Sequence, residues 1–195
     1  MIDIGFRTTK QAHRLTKGDI YPIDIVPFGA IAENNMIEWP PHFDTKMNVV
    51  DFQEALEHAL EFSLSYDPVL TIKVASPAGL SLMKLIAWTQ CAPELRSKDA
   101  SDFKYIIESM ERLPNMTDRL YDLKLLEKYD ANQLLISALL LGEDVARILS
   151  HSSSSVINEF SNDQKHLDYF SQKMGKNASV NEEANYHLLD AVLWS

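Results

Sequence analysis

The spacing of apolar residues changes along the chain, and this change constrains the fold more than any other feature. Near the start, Ile2, Ile4 and Phe6 stand at alternate positions, followed by a polar stretch through Arg14. A second alternating run covers residues 20–28, with Ile23 and Ile25 flanking Asp24. Alternation is the period of a strand with one buried face. Lys17-Gly18-Asp19 lies between the runs and carries a turn signal, so the pair is expected to form a hairpin. Trp39-Pro40-Pro41 predicts a rigid bend, because proline fixes φ and biases its predecessor away from the helix.

From Asp51 onward the period becomes that of a helix. Asp51 is a suitable N-cap for a helix carrying Phe52, Ala55, Leu56, Ala59 and Leu60 on one face. Val69 to Val74 is rich in β-branched residues and reads as a strand. Ser76-Pro77 then opens a helix with Leu80, Met83, Lys84 and Ala87 along one side. Further helices are expected at about 99–112, 117–128, 130–150, 156–174 and 181–194. In the last of these, Asn181 is the cap, with Glu182 and Glu183 favourably placed at the positive end of the dipole. Ser152 to Ser155 is the nearest thing to a linker. Strands first and helices second give an α+β protein with a small antiparallel sheet.

Composition narrows the setting. The 195 residues are 46% hydrophobic and 24% charged, which suits one globular domain that needs no staples. The single cysteine, Cys91, excludes an internal disulfide framework and a four-cysteine zinc site, and reads as a small hydrophobe. No 18-residue apolar run is present, and MIDIGFRTTK lacks the apolar core of a signal peptide, so a cytoplasmic location without membrane contact is expected. A net charge of -10 disfavours non-specific binding to nucleic acid. The local exception is a basic patch of Arg7, Lys10, His13, Arg14 and Lys17 on the hairpin. It is a candidate for contact with a polyanion such as RNA, or an edge strand guarded by charge.

Three clusters carry potential chemistry. Asp24 sits in an apolar strand on the face opposite Ile23 and Ile25. It is either a solvent-facing acid or a catalytic residue, as a Mg²⁺ ligand or a base for phosphoryl transfer. Lys84 lies among apolar neighbours, where it either snorkels to water or supplies a point charge to a triphosphate. Asp99 and Asp102 are three residues apart and face the same way if Asp99 opens a helix. They are either acids at a positive helix end or a polar wall of an active site. The six glycines form no phosphate-binding loop, and the six histidines show no metal-ligand spacing.

Taken in order, these segments resemble the AbiEii/AbiGii-like nucleotidyltransferases of bacterial abortive infection. The resemblance is carried by His13-Arg14, Ile23-Asp24-Ile25-Val26-Pro27-Phe28-Gly29 and Ile37-Glu38-Trp39-Pro40-Pro41. It continues in Val74-Ala75-Ser76-Pro77-Ala78-Gly79-Leu80, Lys84-Leu85-Ile86-Ala87-Trp88, Lys98-Asp99-Ala100-Ser101-Asp102 and Leu140-Leu141-Gly142-Glu143-Asp144-Val145-Ala146. The resemblance implies a polymerase-β-like nucleotidyltransferase core over 1–112 and a helical region over 113–195. It implies nucleotide transfer from an NTP with Mg²⁺, and a place in a toxin–antitoxin or phage-defence system with a cognate antitoxin or other protein partner. Asp24 would correspond to the third metal carboxylate and Lys84 to the nucleotide-contacting lysine. Lys98, Asp99 and Asp102 would border the nucleotide.

One departure shapes the functional expectation. The family carries an upstream Gly-Ser motif with paired carboxylates, whereas these 195 residues contain neither Gly-Ser nor Asp-x-Asp. Relative to the family, the chain is expected to be shortened at its N-terminus, since Met1 falls just before the family's hairpin. A lone Asp24 should bind Mg²⁺ weakly, and catalysis should be impaired. The expectations are therefore an impaired nucleotidyltransferase or a non-catalytic binding or interaction module. Loss of sheet neighbours should also expose apolar surface that a homodimer would cover.

Overall fold

A computed structural model describes residues 5–18, 21–39, 46–90, 93–114, 116–175 and 182–194. The chain divides into two units, Met1–Gln53 and Glu54–Ser195. The structure is mixed α+β, with small antiparallel sheets followed by a helical C-terminal region. No helix among the described residues is long and apolar enough to cross a membrane.

In the first unit, β1 (Phe6–Thr8), β2 (Arg14–Lys17) and β3 (Tyr21–Asp24) form an antiparallel sheet in that order. Gly18 follows β2 with φ of +60°, the left-handed conformation that glycine adopts at least cost, and the expected turn forms there. The expected first strand is divided, however, and the polar Arg14–Lys17 stretch supplies β2. Pro22 is accommodated because β3 is an edge strand. A second sheet, not expected from the sequence, pairs β4 (Met36–Glu38) with β5 (Lys46–Asn48). Asn34 and Asn35 precede β4 with φ of 51° and 60°, and a short polar side chain tolerates this conformation.

The second unit begins within α1 (Phe52–Glu57), which ends three residues before the expected Leu60. Leu60 instead opens β6 (Leu60–Tyr66), which pairs with β7 (Val69–Val74). The strands of the whole chain thus form three small sheets among the described residues, not one. The β7 strand and the helix start at Ser76-Pro77 match the sequence reading. Ser76 Oγ accepts from the Gly79 N–H, and Pro77 is the first residue of α2 (Pro77–Gln90). A Cβ on Gly79 would lie 3.2 Å from the Ala55 backbone, so the glycine permits α1 and α2 to approach closely.

The remaining helices are α3 (Pro93–Ser109), α4 (Thr117–Leu120), α5 (Leu123–Lys128), α6 (Gln133–Ile148), α7 (His151–Ser161), α8 (Gln164–Lys173) and α9 (Glu182–Leu193). Two expected helices are therefore split, at Tyr121-Asp122 and at Asn162-Asp163. The serine run is helical rather than a linker. Ser150 caps α7 by accepting from the Ser153 N–H, and Asp163 caps α8 in the same way from Lys165 and His166. The bend at Pro40-Pro41, the Asn181 cap and Cys91 lie outside the described residues.

Packing in this unit centres on aromatic rings. Phe170 of α8 meets Trp88 of α2 at 4.7 Å, Phe103 of α3 at 5.3 Å and Phe160 of α7 at 5.7 Å, all edge-on. Each such contact contributes about 0.5–1.5 kcal/mol beyond simple burial. Leu82, Leu85, Ile107, Ile136 and Leu141 complete the core from α2, α3 and α6. This packing fixes α2 against α3, the pair that carries Lys84, Asp99 and Asp102.

Candidate functional site

The register of the first sheet places Arg14 directly opposite Asp24, and paired residues share a face. Arg14 Nε donates to Asp24 Oδ1 at 2.6 Å, and the second guanidinium nitrogen donates to Oδ2 at 2.7 Å. This two-pronged pairing matches the planar shapes of both groups. Hydrogen bonding from Arg14 holds the Asp24 carboxyl below its ordinary range, against an opposing effect of burial. The same bond raises the Arg14 guanidinium. Both side chains are about two-fifths exposed, so the pair lies at the surface of the first unit.

A Mg²⁺ ion seeks several convergent oxygens and keeps the rest of its waters. Both Asp24 oxygens already accept from a guanidinium, whose positive charge also opposes a cation. A Mg²⁺ ion at Asp24 would therefore have to compete with Arg14. Among the described residues, no three His, Cys, Asp or Glu side chains gather in a metal-binding arrangement.

In the second unit, α2 and α3 bring together the other expected residues. Lys84 Nζ lies 3.0 Å from Asp99 Oδ1 and 2.7 Å from Asp102 Oδ2. Burial pushes the Lys84 ammonium toward neutrality, but hydrogen bonds to Asp102 and Asp99 outweigh it and hold its pKa above the ordinary value. The lysine head thus meets two carboxylates. The cluster carries one positive and two negative charges, and it ties α2 to α3. Asp99 does not open its helix, because α3 begins at Pro93 and places Asp99 well inside it. The three-residue spacing still aims Asp99 and Asp102 the same way. Lys98 is exposed on α3, and the Arg96 guanidinium lies 5.7 Å from the centre of the Trp88 ring.

The basic patch of the first unit is only partly open. Arg7 and Lys10 are exposed, but Arg14 is engaged by Asp24. Lys17 lies 5.7 Å from the Phe6 ring centre, and the His13 ring lies 5.7 Å from that of Trp39. Asp24 belongs to the first unit and Lys84 to the second.

The most prominent surface feature went unread in the sequence. In β6 and β7, Leu60 pairs with Val74 and Phe62 with Ile72, while Glu61 pairs with Lys73 and Ser63 with Thr71. Leu64 and Leu70 extend the first set by alternation, with a register shift between Ser63 and Ser65. One face is therefore mainly apolar, with Ser65 opposite Leu70 at its end, and the other carries Glu61, Ser63, Thr71 and Lys73, with the Tyr66–Val69 pair beyond the bulge. The six apolar side chains are 39–59% exposed. The signal was present as Leu60-x-Phe62-x-Leu64 and Leu70-x-Ile72-x-Val74.

No family model, no curated protein and no solved structure matches the chain.

Proposed function

We propose that this chain is an AbiEii-like nucleotidyltransferase relative that does not transfer nucleotides by itself and acts as a binding or interaction module. The observation that carries this reading is the two-pronged Arg14–Asp24 pair. A carboxylate that holds a catalytic metal must offer its lone pairs and its charge to the ion. Asp24 gives one acceptor site on each oxygen, and part of its charge, to Arg14. The Lys84 charge is likewise engaged by Asp99 and Asp102, which leaves its role structural. The nucleotidyltransferase-like frame rests on the sequence resemblance, with which a mixed α+β chain ending in a helical region is compatible. The exposed apolar face of the β6–β7 hairpin supports the interaction role.

The test is incubation of the full chain at high concentration with each radiolabelled NTP and Mg²⁺ or Mn²⁺. No label should pass to protein or to RNA. Transfer that Asp24→Asn abolishes would overturn the reading in favour of an enzyme. A thermal shift with each NTP is the companion measurement, because a ligand that binds only the native state raises its stability.

A further inference from the structure

We propose that the apolar face of the β6–β7 hairpin is a self-association surface, and that two copies of the chain stack these faces about a two-fold axis. The proposal deepens the interaction reading above and rests on it by naming the partner. A two-stranded sheet standing alone is marginal in water and needs its apolar face covered. Leu60, Phe62, Leu64, Leu70, Ile72 and Val74 form that face, and every one is at least 39% exposed in the single chain. Together they leave on the order of 500 Å² of contiguous apolar surface, beyond what scattered surface hydrophobes produce.

The occupant follows from charge, shape and area. The face carries no charged side chain, since Glu61 and Lys73 pair on the opposite face. A charged or strongly polar partner would be desolvated there without compensation. The fitting partner presents an equally broad, uncharged, twisted sheet face, and a second copy presents that face. Two sheets pack face to face at about 10 Å, interdigitating their side chains. A two-fold arrangement makes the patch its own complement. Two patches bury on the order of 1,000 Å² from side chains alone, near the lower limit of about 1,200 Å² for specific interfaces. That small area, and the repulsion between copies that each carry a net charge of -10, point to a reversible dimer. Edge pairing alone would lengthen the sheet and leave the apolar face in water, so stacking is the arrangement that removes it.

The experiment is light scattering of the full chain across a concentration series reaching about 100 µM. The wild type should approach the mass of two chains. Phe62→Lys places a charge at the centre of the face and should weaken association by about tenfold or more, with helical circular dichroism unchanged. Thr71→Lys, on the polar face, should associate like the wild type. A one-chain mass for the wild type throughout overturns the proposal, whatever else covers the face. So does a Phe62→Lys variant that still dimerises, or a folded Thr71→Lys variant that does not. These outcomes are separable from the reading beneath them. Nucleotide transfer by the wild type would overturn the module reading, whereas a one-chain mass without transfer would overturn only the dimer.

Discussion

Ser153 Oγ donates a hydrogen bond to the Glu54 carboxylate, joining α7 to α1 across 99 residues of chain. Glu54 is 5% exposed and Ser153 fully buried. A carboxylate removed from water is costly unless donors replace its hydration. This bond explains why a run of four serines belongs inside the second unit. Ser150 starts the helix, and the third residue beyond it delivers a hydroxyl to a buried acid.

Removal of that hydroxyl should be expensive. Ser153→Ala keeps the helix and its size but takes a donor from Glu54. The expected loss is about 1–3 kcal/mol, the cost of leaving a buried acceptor short of a partner. Urea unfolding should show a lower midpoint with an unchanged slope. Ser152→Ala, at an exposed position of the same helix, should shift the midpoint little. Equal midpoints for Ser153→Ala and the wild type would sink this account of the serine run.

The Arg14–Asp24 pair predicts a specific titration. Asp24 has its folded pKa lowered from 3.8, first by the hydrogen bond from Arg14. The sign follows: a lowered folded value gives a contribution present above the unfolded value and lost as pH falls through the folded one. The pair should therefore stay intact at neutral pH and weaken only below pH 3.8. Carboxyl NMR should place the Asp24 midpoint below 3.8 in the wild type, and Arg14→Ala should move it up toward 3.8. An unmoved midpoint would show that Arg14 does not hold the carboxylate in solution.

Local signals in the sequence located the turn at Gly18, the helix start at Ser76-Pro77 and the long α6, because each depends on neighbours within a few residues. The Arg14–Asp24 contact was also accessible in principle. Counting outward from the Lys17–Tyr21 pair beside that turn brings Arg14 opposite Asp24. The run Phe52 to Leu60 was ambiguous for a physical reason. Its last leucine fits the helical period behind it and the strand alternation ahead, and pairing with Val74 decides the matter. The serine run has no period that marks a helix. Its structure depends on a buried partner in α1 that local reading does not reach. Lys84, Asp99 and Asp102 each stand out in the sequence, but their mutual contact requires α2 to pack on α3.

The Lys84 cluster makes unequal demands on its two acids. Asp99 is nearly enclosed, with 13% of its side chain exposed, whereas Asp102 is 41% exposed. Asp102 therefore pairs with Lys84 largely in water, where such bonds contribute about 0–1 kcal/mol. Asp99 has few waters to fall back on, and Asp99→Asn leaves a partly buried ammonium with its more exposed acid alone. The expected cost is about 1–3 kcal/mol for Asp99→Asn and less than about 1 kcal/mol for Asp102→Asn. Burial lowers the Lys84 pKa, but the bonds to Asp102 and Asp99 prevail and leave it above 10.5. A raised folded value gives a contribution fully present below the unfolded value and lost as pH rises through the folded one. The penalty of Asp99→Asn should thus be the same at pH 7 and pH 9, both below 10.5. Urea unfolding of the two variants at both pH values checks this, and a larger loss from Asp102→Asn would reverse the assignment of the enclosed partner.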